Sequence, residues 1–118
     1  MNSRTQRLQA QGAAGAIEVL RDDPGHASEG LAFIAHPHPL FGGTMDNKVV
    51  QTIARASAQG GWSAVRFNFR GVGASAGTHD EGRGEAGDMR SLVAALAPEG
   101  PIALAGFSFG AFVTSSVL

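Results

Sequence analysis

Short, unbroken apolar runs alternate along the chain with longer stretches in which apolar residues return every three or four positions. The first pattern marks strands covered on both faces, the second amphipathic helices. "LAFIA" (Leu31–Ala35) is one such run. "WSAVRFNF" (Trp62–Phe69) is a second, with Val65, Phe67 and Phe69 on one side, and "PIALA" (Pro101–Ala105) is a third. An earlier segment, "GAIEVLRDD" (Gly15–Asp23), reads as a further strand closed by Pro24-Gly25. Between the runs, "TMDNKVVQTIARASAQGG" reads as a helix with Val49, Val50, Ile53, Ala54 and Ser57 on one face. Thr44 is its expected N-cap, Asp46 suits its positive end, and Gly60-Gly61 its stop. "EAGDMRSLVAALAPEG" carries Met89, Leu92, Val93 and Leu96 at helical spacing, with Glu85 and Asp88 near its start, and "GAFVTSSVL" opens a third helix. Strands alternating with helices predict an α/β fold, a mostly parallel sheet with helices on both faces. Residues 15–118 form the domain in this reading, and residues 1–14 a polar N-terminal segment.

Composition narrows the field. The 118 residues are 43% apolar and 16% charged, which supplies a core for one domain and rules out a disordered chain. A net charge of −1 gives no reason to expect a nucleic-acid or anionic-membrane partner. The absence of cysteine excludes disulfides and thiolate metal sites. The N-terminal "MNSRTQRLQAQG" has no apolar centre of a secretory signal, and no apolar run approaches the roughly 20 residues of a membrane span. The expectation is a cytoplasmic protein.

In such sheets ligands sit at the carboxyl ends of the strands. Three glycine-rich loops fall there: "HPHPLFGG", "RGVGASAG" and "GFSFG". The last matches G-x-S-x-G at Gly106–Gly110, a weak pattern in a chain with 17 glycines, and a second match, "GASAG", occurs at Gly73–Gly77. Context separates the two. A nucleophile elbow needs a strand running directly in and a helix directly out, with glycines where the two backbones nearly collide. "PIALAGFSFGAFVTSSVL" meets that requirement, whereas "GASAG" is followed by "THDEGRGE". Ser108 is therefore the candidate nucleophile, and Ser75 is a decoy. An activated serine also needs an oxyanion hole, one donor being the N–H of the next residue, here Phe109. The second nominee is the main-chain N–H of His38, in a loop stiffened by Pro37 and Pro39, which have no N–H.

Two rival chemistries are readable in the same loops. His36 and His38 form an H-x-H pair that would suit a metal-dependent hydrolase, but two ligands are too few and only His79-Asp80 could complete them. The bland alternative makes His36 a packed, hydrogen-bonded loop residue. Gly71-Val72-Gly73-Ala74-Ser75-Ala76 matches a dinucleotide fingerprint, but no helix begins at once to receive a pyrophosphate.

Taken together, "AHPHPLFGGTMDNKVV", "RFNFRGVGAS" and "GFSFGA" resemble a bacterial branch of predicted serine hydrolases in the α/β-hydrolase superfamily, distantly similar to dienelactone hydrolases and small esterases. The resemblance runs from about Gly15 to the C-terminus and rests on three separated loops in the same order and spacing. It implies an eight-stranded, mostly parallel sheet, Ser108 as nucleophile, and His38 and Phe109 at the oxyanion hole. It makes Arg70, in the loop after the fourth strand, a structural tether with Asp88 as its partner. It implies hydrolysis of a small ester-like substrate without a cofactor. The triad order in this fold is Ser, acid, His. His26, His36, His38 and His79 all precede Ser108. The chain thus reads as the N-terminal half of a hydrolase, truncated after the elbow, with the acid and histidine expected beyond Leu118. Alone it is expected to be inactive and marginally stable, with "PIALA" an exposed sheet edge. The alternative is a hydrolase-like fragment or binding module without catalysis.

Overall fold

The computed structural model describes residues 5–96 and 100–117. The "MNSR" of the N-terminal segment, residues 97–99 of the second helical stretch, and Leu118 lie outside them. Among the described residues, five strands form one sheet: β1 (Thr5–Gly12), β2 (Gly15–Asp22), β3 (Leu31–Ala35), β4 (Ser63–Phe67) and β5 (Ile102–Gly106). Three helices connect or follow them: α1 (Lys48–Gln59), α2 (Arg83–Leu96) and α3 (Phe109–Val117). The spatial order is β1-β2-β4-β3-β5. The β4–β3 and β3–β5 pairings are parallel, and the β1–β2 and β2–β4 pairings antiparallel. The sheet is mixed, with the parallel half that the alternation predicts and an antiparallel margin at its N-terminal side.

The alternation of side chains decides which helix covers which face. Leu31, Phe33 and Ala35 of β3, with Val65 and Phe67 of β4, point toward Met89 and Leu92 of α2 and Val113 of α3. Ile34 and Ala64 point the other way, toward Val50 and Ala54 of α1. All five residues of β3 are buried, as a strand sandwiched between helices requires.

Three local readings are corrected. Residues 5–12 are not a polar appendage: β1 pairs with β2 along its whole length, and Ala10 is buried in the main core. Helix α1 starts three residues later than expected. Its N-cap is Asn47, whose side chain accepts the Val49 and Val50 N–H groups at 2.9 and 3.2 Å, while Thr44 caps only the turn before it. Val49, expected on the inner face, is 39% exposed. At the other margin, β5 pairs with β3 alone among the described strands, and Ile102 is 49% exposed. "PIALA" is an apolar edge, as expected.

Candidate active site

Because β3, β4 and β5 run parallel, the loops following them meet at one end of the sheet. The chain passes from β5 into α3 through Phe107 and Ser108. Ser108 has φ +60°, one of two non-glycine residues with positive φ among those described. An L-residue is held there only where its surroundings leave no alternative, at a cost of about 1–2 kcal/mol. The surroundings here are backbone. A Cβ on Gly106 would lie 2.6 Å from the Ala111 nitrogen, and one on Gly110 2.6 Å from the His36 carbonyl oxygen. Strand, turn and helix pack too closely for any side chain but hydrogen, and the serine is left exposed on the bend. The Ser108 carbonyl accepts the Ala111 and Phe112 N–H groups, which opens α3. The Phe109 N–H has no hydrogen-bond partner among the described residues. It sits at the positive end of the helix.

The loop after β3 is built around His36. This imidazole is fully buried. Its Nε2 accepts the Phe69 N–H at 3.0 Å, so its proton is on Nδ1, which donates to the Pro37 carbonyl at 2.7 Å. Neither nitrogen is left for a metal, so the H-x-H pair does not act as one. Among the described residues no group of three His, Cys, Asp or Glu side chains could hold a metal ion. His38 follows. Its carbonyl accepts from Phe41 and Gly43, and its Nδ1 accepts the Leu40 N–H. Its own main-chain N–H, like that of Phe109, has no partner among the described residues. The His38 and Phe109 rings lie 4.5 Å apart, so the two nominated donors belong to residues in contact.

Burial pushes the His36 pKa down to about 4, the Pro37 hydrogen bond only partly opposing it. In the unfolded chain an imidazole titrates near 6.5. As pH falls below about 6.5 the unfolded state therefore gains a proton that the folded state refuses, and stability is lost until about pH 4, by roughly 3 kcal/mol. Urea midpoints at pH 7.5 and 4.5 should differ accordingly, and in His36→Gln that difference should shrink. Glu18, held below the usual carboxylate range chiefly by the Ala74 N–H, adds to the loss only at lower pH.

The loop after β4 is a scaffold. Ser75, the decoy serine, is buried; its hydroxyl donates to the Asn68 carbonyl at 2.7 Å and accepts the Glu18 N–H at 2.8 Å. The N–H groups of Gly71, Val72, Ala74, Ser75 and Ala76 are all bonded within the protein, and α2 starts only at Arg83. They are not free to cradle a pyrophosphate. Arg70 grips Asp88 through Nε and Nη2, at 2.8 and 2.9 Å, and also donates to the Gly84 carbonyl. The tether read from the resemblance is present. Asp88 is almost wholly buried, so Asp88→Ala strands a guanidinium and should cost about 3 kcal/mol, readable as a lower denaturation midpoint.

Sequence reasoning missed two further residues. Asn68, just after β4, ties β2 to the turn before α1: its Nδ2 donates to Glu18 and its Oδ1 accepts the Met45 N–H. Glu85, fully buried, accepts the Asp80 and Gly82 N–H groups at the start of α2 and lies beside His79. Asn68 within "RFNFRG" and Glu85 at a helix start are visible in the sequence, but their partners are not.

A sheet of this order, helices on both faces and a strained serine between β5 and α3 define an α/β-hydrolase fold, carried over the part that the chain spans. Over nearly its whole length the chain is similar to bacterial α/β serine hydrolase proteins. An α/β serine hydrolase homologue from Coxiella burnetii superposes with a TM-score of 0.88 at 41% identity, over 99% of this chain and 57% of that one. A lidless α/β serine hydrolase from Xanthomonas campestris gives 0.87 at 37% identity, over 99% and 58%. An uncharacterized protein, RP471, of Rickettsia prowazekii is 39% identical over 92 residues, which is 75% of this chain and 39% of that protein. No protein-family profile matches the chain. The chain therefore spans little more than half the length of the solved relatives.

Proposed function

We propose that this chain is the nucleophile-bearing part of a serine hydrolase that cleaves small carboxylic esters. The Ser108 hydroxyl attacks the ester carbonyl carbon. Its proton passes to a histidine base, the alcohol leaves with a proton from that base, and water then releases the acid from the acyl-enzyme. The N–H groups of Phe109 and His38 hold the oxyanion. The base and its acid partner come from the part of the protein beyond Leu118, in keeping with the greater length of the relatives. The observation that carries this reading is the φ of +60° at an exposed serine between two glycines whose Cβ atoms would overlap backbone.

A fluorophosphonate reacts far faster with an activated serine than with an ordinary one, which makes it the direct test on the intact protein. A peptide carrying the label at Ser108 is the expected result. No label, or label on Ser75, overturns the reading.

A further inference from the structure

The two unpartnered N–H groups belong to residues on different loops, and an oxyanion hole works only if both point at one position. What sets their separation? The His38 and Phe109 rings touch, but a third ring touches both. His79, from the loop after β4, lies 4.8 Å from the His38 ring and 5.4 Å from the Phe109 ring, centroid to centroid. Its side chain is 15% exposed, and its Nδ1 lies 3.1 Å from Glu85 Oε2, in contact but without the geometry of a hydrogen bond. Glu85 cannot move to follow it, because both its oxygens are held by main-chain donors at the head of α2. The result is a cluster of three mutually tilted rings, from the loops after β3 and β4 and the first residue of α3, backed by a fixed carboxylate.

We infer that His79 is a positioning residue for the oxyanion hole: braced by Glu85, it fixes the His38 and Phe109 rings against each other and thereby the separation of their main-chain N–H groups. The inference rests on the proposed role of those two N–H groups. The ring matters more than its charge. Removing it leaves space on one side of the pair, and the donors can drift from the position that the developing oxyanion occupies, while the bound substrate, which needs them less, is little affected.

The test uses the intact protein with p-nitrophenyl acetate as substrate and phenylboronic acid, which adds to a serine and presents an oxygen to the oxyanion hole. His79→Ala should lower kcat about tenfold or more with KM within about twofold, and raise the phenylboronic acid inhibition constant by a similar factor. His79→Phe, which keeps a ring, should stay within about threefold of the parent. A purely structural role predicts otherwise: a lower melting temperature with kcat per fluorophosphonate-titrated site unchanged, which would overturn the inference and leave Ser108 as nucleophile. If His79→Ala does not fold, His79→Gln against His79→Phe makes the same comparison, and equal kcat in the two overturns it. If the parent protein is not labelled at Ser108, the functional reading fails and this inference with it.

Discussion

Ser108→Ala in the intact protein is expected to reduce kcat/KM for a simple ester by at least about a thousandfold, with the fold unchanged. On the proposed mechanism the loss is large because the hydroxyl oxygen bonds to substrate, and no neighbour replaces it. The fold is spared because the Ser108 side chain is exposed and the contacts that build the elbow are made by backbone. Alanine keeps those contacts and is no worse suited than serine to a φ of +60°. Ser75→Ala supplies the opposite pattern. Its hydroxyl serves the Glu18 N–H and the Asn68 carbonyl, so its removal should cost about 1–3 kcal/mol of stability. Hydrolysis per folded molecule should persist. Rates and denaturation midpoints measured on both variants separate a chemical serine from a structural one. The reverse pattern would mean that the wrong serine has been chosen.

Gly110→Ala is expected to be strongly destabilising. The added Cβ would sit 2.6 Å from both the Ala35 carbonyl carbon and the His36 oxygen, which are main-chain atoms of a buried strand end and cannot swing aside. Either α3 lifts from β3 or the elbow opens, at about 3 kcal/mol or more. That corresponds to roughly 15 °C in melting temperature for a domain of this size. The same substitution at Gly87 is the control. It lies within α2, and a Cβ there meets nothing within 4 Å. Gly87→Ala should therefore raise stability by up to about 1 kcal/mol through helix propensity. Thermal melts of the two variants should move in opposite directions, and a Gly110→Ala protein that melts with the parent would contradict the close approach of α3 to β3.

The elements with a strong period were legible in the sequence because their burial is uniform. "LAFIA" is β3 to the residue, and the strand–turn–helix around Ser108 is present as the elbow requires. What escaped the reading has two causes. β1 carries only Leu8 and Ala10 toward the core amid polar residues, and its connection to β2 is Ala13-Ala14, without the Asn-Gly or Asp-Gly that advertises a hairpin. The start of α1 was misplaced because Thr44, Asp46 and Asn47 are all plausible caps, and tertiary anchoring of Met45 by Asn68 decides between them. The site divides similarly. The tight turn at Ser108 is legible in local chain geometry, whereas the contact of His79 with the His38 and Phe109 rings depends on a loop folding back over its neighbours. No spacing rule encodes that return.

The register between β3 and β5 carries one more consequence. Leu31 stands opposite Ile102, so this pairing closes a loop of about seventy residues, while β1 and β2 meet across two. The hairpin is a local event that a chain can complete in microseconds, and the β3–β5 pairing is the most entropically demanding contact in the sheet. Ser108 acquires its strained geometry only through that pairing. A chain with its hairpin and β4 in place but β5 still loose carries an ordinary, relaxed serine. On the proposed role of Ser108, labelling at this position therefore reports the completeness of folding, and an incompletely folded molecule is expected to stay unlabelled.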